Sequence, residues 1–227
     1  GHSFPTRRSS DLSLVFPINL MADGHGKKEA SVDMLVGACV ACHGSSGNSA
    51  GPAIPTIAGM TANYFIGAML SYKHIDKIED AEKIVESDQS LEDVFIWKRN
   101  PTIMHRIAKG YTLSEIKKMG AYFEKQKFIP ASQKYDKSLA KKGDSQHENA
   151  CDKCHTENGS SNEDDMPIIA GQWSLYTKYK LADFKEGLRT MPKKMKTALK
   201  KYHENTDIKD FDDLINFYAS QDRKSVV

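Results

Sequence analysis

The chain reads as all-α, built from two tandem copies of one helical unit, and three observations predict this. Cys39-Val40-Ala41-Cys42-His43 and Cys151-Asp152-Lys153-Cys154-His155 are two copies of C-x-x-C-H, and together they use every cysteine present. The copies lie 112 positions apart (151 − 39), and the same offset relates Pro55-Thr56-Ile57-Ala58-Gly59 to Pro167-Ile168-Ile169-Ala170-Gly171. Strand-like alternation is absent from the sequence pattern, whereas apolar residues recur at helical spacing in a closing segment of each copy, Leu113 to Phe123 and Phe211 to Ala219.

C-x-x-C-H is the attachment signature of c-type haem. On a helix, cysteines at i and i+3 and a histidine at i+4 share one face, so two thioether bonds and an axial iron ligand can meet one porphyrin. Cys39, Cys42 and Cys151, Cys154 are therefore the expected attachment points of two covalently bound haem c groups, with His43 and His155 as proximal iron ligands. A structural zinc site is the main rival, but its paired arms usually lie close in sequence or add a spaced histidine pair. A redox dithiol would explain one C-x-x-C and not the histidine that follows in both copies.

Per copy, the pattern predicts a helix leading into the motif, a Gly/Pro-rich loop, a middle helix, a second loop and a terminal helix. Ser31 to Val40 supplies the first leading helix and Tyr135 to Ala150 the second, where Gly143 reads as an interruption. The offset persists through Tyr64 and Tyr176 to Tyr72-Lys73 and Phe184-Lys185, placing equivalent middle helices after each Ile-Ala-Gly turn. The first copy carries a charged insertion, about 74–103, with an extra helix expected around Asp88 to Lys98. The units divide as 27–128 and 129–221, with the joint at Phe128-Ile129-Pro130-Ala131-Ser132-Gln133.

Residues 1–26 read as a non-native end plus the remnant of a signal peptide cleaved near Ala22, and 222–227 as a second non-native end resembling translated sequencing adapter. The apolar patch Leu12 to Ala22 is too short and too interrupted by Pro17 and Asn19 to span a bilayer, and no other membrane span is expected. Lys and Arg total 32 against 30 Asp and Glu, a near balance that makes nucleic acid an unsuitable partner. Covalent haem attachment points to an exported protein in a bacterial-type periplasm.

The tandem arrangement resembles the dihaem class I cytochromes c from about Lys27 to Gln221. The resemblance implies two tandem class I domains, each wrapped around its haem. It also implies that a proline carbonyl accepts the proximal histidine N–H, and Pro55 and Pro167 each lie twelve residues beyond their histidine (55 − 43; 167 − 155). In such proteins a methionine before the terminal helix is the sixth ligand. Met104 fills that place in the first copy, with His105 the alternative, and Met195 in the second, with Met191 the alternative. Tyr64, Tyr176 and Trp173 either pack on the haems or bind propionates, or are ordinary core aromatics.

Within that group the chain is similar to the cytochrome subunit of flavocytochrome c sulfide dehydrogenase. The match rests on Ile103 to Tyr111, Ala170-Gly171-Gln172-Trp173, Asp183-Phe184-Lys185 and Met191 to Met195. The resemblance implies outer-sphere electron transfer, from an FAD-bearing sulfide-oxidising subunit to a soluble acceptor such as a small cytochrome c, and a chain not catalytic alone. Two alternatives stand beside it: a free-standing dihaem carrier feeding a terminal oxidase, and a haem enzyme or sensor with an open iron position. Val94-Phe95-Ile96-Trp97 is either a docking run for the partner or a segment packed on its own domain.

Overall fold

The computed structural model describes Gly1 and residues 30–205 and 210–221. The expected signal-peptide remnant and the non-native end at 222–227 lie outside the described residues. Among those residues the secondary structure is helical without strands.

The first half runs α1 (Val32–His43), α2 (Ala62–Lys73), α3 (Ile78–Ser87), α4 (Ile103–Ala108) and α5 (Leu113–Glu124). Ser31, Thr61, Thr102 and Thr112 cap four of these helices by accepting backbone N–H groups from the first turn. At α5 the cap is a full capping box, with Glu115 returning a bond to the Thr112 backbone. Leu35 and Val36 of α1, Phe65, Ile66, Met69 and Leu70 of α2, and Ile116, Met119 and Phe123 of α5 bury one shared core. The Phe65 and Phe123 rings meet at 5.4 Å.

The second half runs α6 (Lys137–Ala150), the single turn α7 (Thr156–Gly159), α8 (Ser174–Lys185), α9 (Lys193–Asn205) and α10 (Asp212–Ser220). Asp136 caps α6 by accepting from the N–H groups of Ser138 and Leu139. Gly143, expected to interrupt this helix, sits inside it without breaking it. Its missing side chain admits α10, since a Cβ there would lie 2.1 Å from the Asp213 carbonyl oxygen. Tyr202, Phe211, Leu214, Ile215, Phe217 and Tyr218 form the second core.

The insertion differs from expectation. Its helix is α3, over Ile78–Ser87, and not the stretch from Asp88 to Lys98. Asp88 ends α3 because its carboxylate turns to the Ser90 N–H and hydroxyl and to Lys117 Nζ on α5, at 2.6 Å. Beyond it come a single 3-10 turn, Gln89–Leu91, and then irregular chain. Val94 is buried and Ile96 packs on the first core, while Phe95 is 58% exposed and stacks on Trp97 at 6.3 Å. The apolar run therefore divides between its own core and the surface.

The halves join along a hydrogen-bonded seam. Gln172 Oε1 accepts from the Thr56 N–H at 2.9 Å, and Gln172 Nε2 donates to the Thr56 carbonyl at 3.0 Å. Trp173 Nε1 donates to Ser49 O at 3.0 Å, Asn162 to Gly59 O at 2.8 Å, and the Thr190 N–H to Lys98 O at 3.0 Å. Met60 and Phe128 of the first half close on Ile168 of the second, with Tyr64 against them.

Candidate haem-binding sites

In the first half the motif closes α1, so the helix itself sets Cys39, Cys42 and His43 on one face. Cys42 is exposed and Cys39 half-buried, and neither is in a disulfide. His43 is 7% exposed, and its Nδ1 lies 2.8 Å from the Pro55 carbonyl oxygen. A carbonyl can only accept, so this contact fixes the proton on Nδ1 and leaves the Nε2 lone pair free to bind a metal. Burial lowers the His43 pKa, partly offset by the Pro55 bond, and favours the neutral, ligating form.

The second motif is built differently. α6 stops at Ala150, and Cys151 is its C-cap. Turns carry the remainder, with the Cys154 and His155 N–H groups both bonded to Cys151 O at 3.1 and 2.9 Å. The second leading helix therefore ends at Ala150, as the sequence predicts, and the one-face argument from helical spacing applies to the first motif alone. The structure does not bring Pro167 to His155, whose Nδ1 is buried without a hydrogen-bond partner. The backbones that carry the two histidines differ: α1 continues through His43, whereas α6 ends at Ala150 and His155 follows a turn. Burial, reinforced by His147, pushes His155 down to about 4, so its imidazole is neutral at pH 7.

Met104 lies in the first turns of α4, half-buried against the first core. The alternative donor His105 turns its Nδ1 back onto the Thr102 carbonyl of its own turn. Met195 is half-buried on α9, while Met191 precedes that helix and lines a small cleft with Phe184, Leu199, His203 and Phe211. The two candidate methionines thus occupy different surroundings. A signal not used in reading the sequence orders them: Pro101-x-x-Met104 recurs as Pro192-x-x-Met195, each at the start of the helix that follows.

Tyr64 and Tyr176, one from each half, lie close enough to interact electrostatically, and Arg99 and Arg189 are beside Tyr64. Burial would raise the Tyr64 hydroxyl, but the two guanidiniums beside it bring it down to about 8, still above neutrality. Tyr176 is pushed up, first by burial and then by Tyr64. The sequence reading overlooked both arginines. Trp173 is committed to the seam through its bond to Ser49.

The residues present fit covalent haem. Exposed Cys42 and Cys154 thiols are free to form thioethers, and each motif pairs them with a histidine, buried in the first half and half-buried in the second, whose neutral form its surroundings favour. Among the described residues no three His, Cys, Asp or Glu side chains converge as a protein-only metal site requires. When bound, haem supplies one-electron iron chemistry, and the protein's part is attachment, axial ligation and control of the surrounding charge.

No family model matches the chain. Cytochrome c4 of Stutzerimonas stutzeri is 32% identical over 201 residues, covering 79% of this chain and 82% of that protein. The cytochrome subunit of sulfide dehydrogenase of Chlorobaculum tepidum is 30% identical over 95 residues, covering 42% of this chain and 66% of that one. The likeness to a sulfide dehydrogenase subunit thus spans less than half of the chain, whereas the match to cytochrome c4 extends over both halves. The crystal structure of reduced recombinant cytochrome c4 from Pseudomonas stutzeri shares the fold, with a TM-score of 0.62 at 23% identity over 85% of this chain and all of that one. Two haem motifs on an all-helical tandem fold, together with this similarity, show that the chain belongs to the cytochrome c4 family of dihaem class I cytochromes c, electron carriers with two covalently attached haem c groups.

Proposed function

We propose that the chain is a free-standing periplasmic relay that moves single electrons between soluble or membrane-bound redox partners by outer-sphere transfer. The observation that carries this reading is the extent of the cytochrome c4 match, 79% of the chain, across both halves. The domains are 27–128 and 129–221. Cys39, Cys42, Cys151 and Cys154 anchor the haems, His43 and Met104 ligate the first iron, and His155 and Met195 the second. The Pro55 carbonyl holds the His43 ring and raises its basicity. Thioether ligation favours ferrous iron and raises the potential, as an acceptor of electrons needs.

A second reading, in which an FAD-bearing sulfide-oxidising subunit docks on this chain and delivers electrons to it, draws support from two observations. One is the partial match to the sulfide dehydrogenase cytochrome subunit. The other is the stacked and largely exposed Phe95 beside Trp97, an apolar element at the surface of the first half. In both readings a small cytochrome c is a suitable acceptor.

The test is the flavin-to-haem ratio of the protein isolated gently from its native periplasm, with sulfide-dependent haem reduction assayed on the same fraction. Flavin-free protein that exchanges electrons only with other redox proteins is the expected result. Stoichiometric flavin with rapid reduction by sulfide replaces the first reading with the second.

A further inference from the structure

We propose that Tyr218, oriented by His147, is a positioning residue of the second haem site, where its hydroxyl donates to the Cys151 sulfur and raises the midpoint potential of that haem alone. The inference rests on haem attachment at Cys151 and not on which partner the relay serves.

The two halves carry different chemistry at matching places. Leu35 and His147 each stand four residues before the first motif cysteine. Phe123 and Tyr218 correspond in the closing helices, because their carbonyls accept from the N–H groups of Gly59 and Gly171, which end the two paired Ile-Ala-Gly turns, at 2.9 and 2.8 Å. Leu35 and Phe123 belong to the apolar first core. His147, in contrast, is 1% exposed and places its Nδ1 3.0 Å from the Tyr218 hydroxyl. The same hydroxyl hydrogen-bonds the Cys151 side chain. At the first motif Cys39 Sγ faces the Leu35 carbonyl oxygen at 3.8 Å.

The order of these bonds follows from what each atom can do. A thioether sulfur carries no proton and only accepts, so Tyr218 donates to Cys151. The Tyr218 oxygen is then the acceptor towards His147, which fixes the imidazole proton on Nδ1. His147 Nε2 makes no hydrogen bond, although Asp152 Oδ1 lies 3.4 Å away. Burial lowers the His147 pKa and favours the neutral ring, whose single N–H is the one given to Tyr218. Two donors therefore align in series, His147 Nδ1–H to Tyr218 and Tyr218 O–H to Cys151, and in a buried core each polarises the next. Their positive end points at the sulfur that joins the chain to the porphyrin. It favours the ferrous form, which carries less positive charge than the ferric. The dipole that faces Cys39, a backbone carbonyl, presents its negative end instead.

The test is a potentiometric titration of the purified dihaem protein with small-molecule mediators and no partner protein, following the haem absorption bands. Tyr218→Phe installs the residue that the first half carries at that place, and it lowers one midpoint while the other stays. The expected change is about threefold in that ferrous/ferric equilibrium, about 28 mV for a one-electron couple. His147→Leu, again the residue of the first half, lowers the same couple. His147→Asn keeps a side-chain N–H beside Tyr218 and stays near the parent, a contrast that packing alone would not predict. Met104→Ala marks the couple of the first haem, and Tyr218→Phe acts on the remaining one. If Tyr218→Phe fails to take up the second haem, the His147 pair decides the matter by itself. Unchanged midpoints, a rise, equal movement of both couples, or equal shifts in the leucine and asparagine variants would overturn the proposal. Because no partner enters the titration, its outcome is separate from that of the flavin assay.

Discussion

Gln172 and Thr56 pair across the two halves as two neighbouring strand residues would, the side-chain amide of one completing both backbone hydrogen bonds of the other at 2.9 and 3.0 Å. Both residues are 3% exposed, so no water can replace either bond. Gln172→Ala leaves a buried N–H and a buried C=O without partners, at about 1–3 kcal/mol for each. The expected outcome is weaker coupling of the halves. Calorimetry of the holoprotein should show the single transition broadening or dividing in two, and a variant that unfolds like the parent contradicts it.

Glycines on the two leading helices should respond oppositely to alanine. Gly143→Ala drives a methyl into the Asp213 carbonyl and the Phe217 side chain, and overpacking of this kind costs about 1–3 kcal/mol. Gly37 on α1 has open space where its Cβ would lie, so Gly37→Ala gains about 0.5–1 kcal/mol of helix propensity. Chemical denaturation midpoints of the two variants, one lowered and one raised, check both signs.

Stability should fall in acid partly through Asp88. The Lys117 ammonium, then the Ser90 hydroxyl and N–H, hold its carboxyl down at about 2, against 3.8 for the ordinary group. A carboxylate with a depressed pKa stabilises the fold above its unfolded value, and that contribution disappears as pH falls through the folded value. Asp88→Asn removes it at every pH. The melting temperature of the variant is therefore expected below that of the parent at pH 6, with the gap closing as pH approaches 2. A gap that is constant with pH would assign Asp88 a role other than its ion pair.

Met195 and Met191 are separable by spectroscopy. If Met195 binds the second iron, Met195→Ala removes the weak methionine-to-iron charge-transfer band of one ferric haem. It also lowers that midpoint by at least about 59 mV, a tenfold change in the one-electron equilibrium. Met191→Ala leaves band and midpoint in place and affects only the packing of the cleft it shares with Phe184 and Phe211. The opposite pattern would move the ligand assignment to Met191.

The parts of this protein written in local spacing were legible from the chain alone. Two C-x-x-C-H motifs at a fixed offset gave the haem count and the twofold repeat. The closing helices, expected at Leu113 to Phe123 and Phe211 to Ala219, occur at Leu113–Glu124 and Asp212–Ser220. The insertion helix lies ahead of the apolar run at 94–97 because the helical period sits in Ile78, Ala81, Ile84 and Val85, with charged residues between them.

What the tertiary structure alone decided lies where residues far apart in sequence meet. Leu35 and His147 occupy the same place in the repeat, four residues before the first motif cysteine, yet one packs as a core aliphatic and the other lies tilted against the Phe217 ring and hydrogen-bonds the Tyr218 hydroxyl. Gln172 finds Thr56, Trp173 finds Ser49, and Arg99 and Arg189 share Tyr64. Covalent attachment depends on positions three and four residues apart, which local backbone alone sets, by the helix α1 in the first motif and by turns in the second, so the sequence determined the haem chemistry. Burial, charge and hydrogen-bond partners belong to surfaces that exist only after the halves have closed, so the seam could be read only from the folded chain.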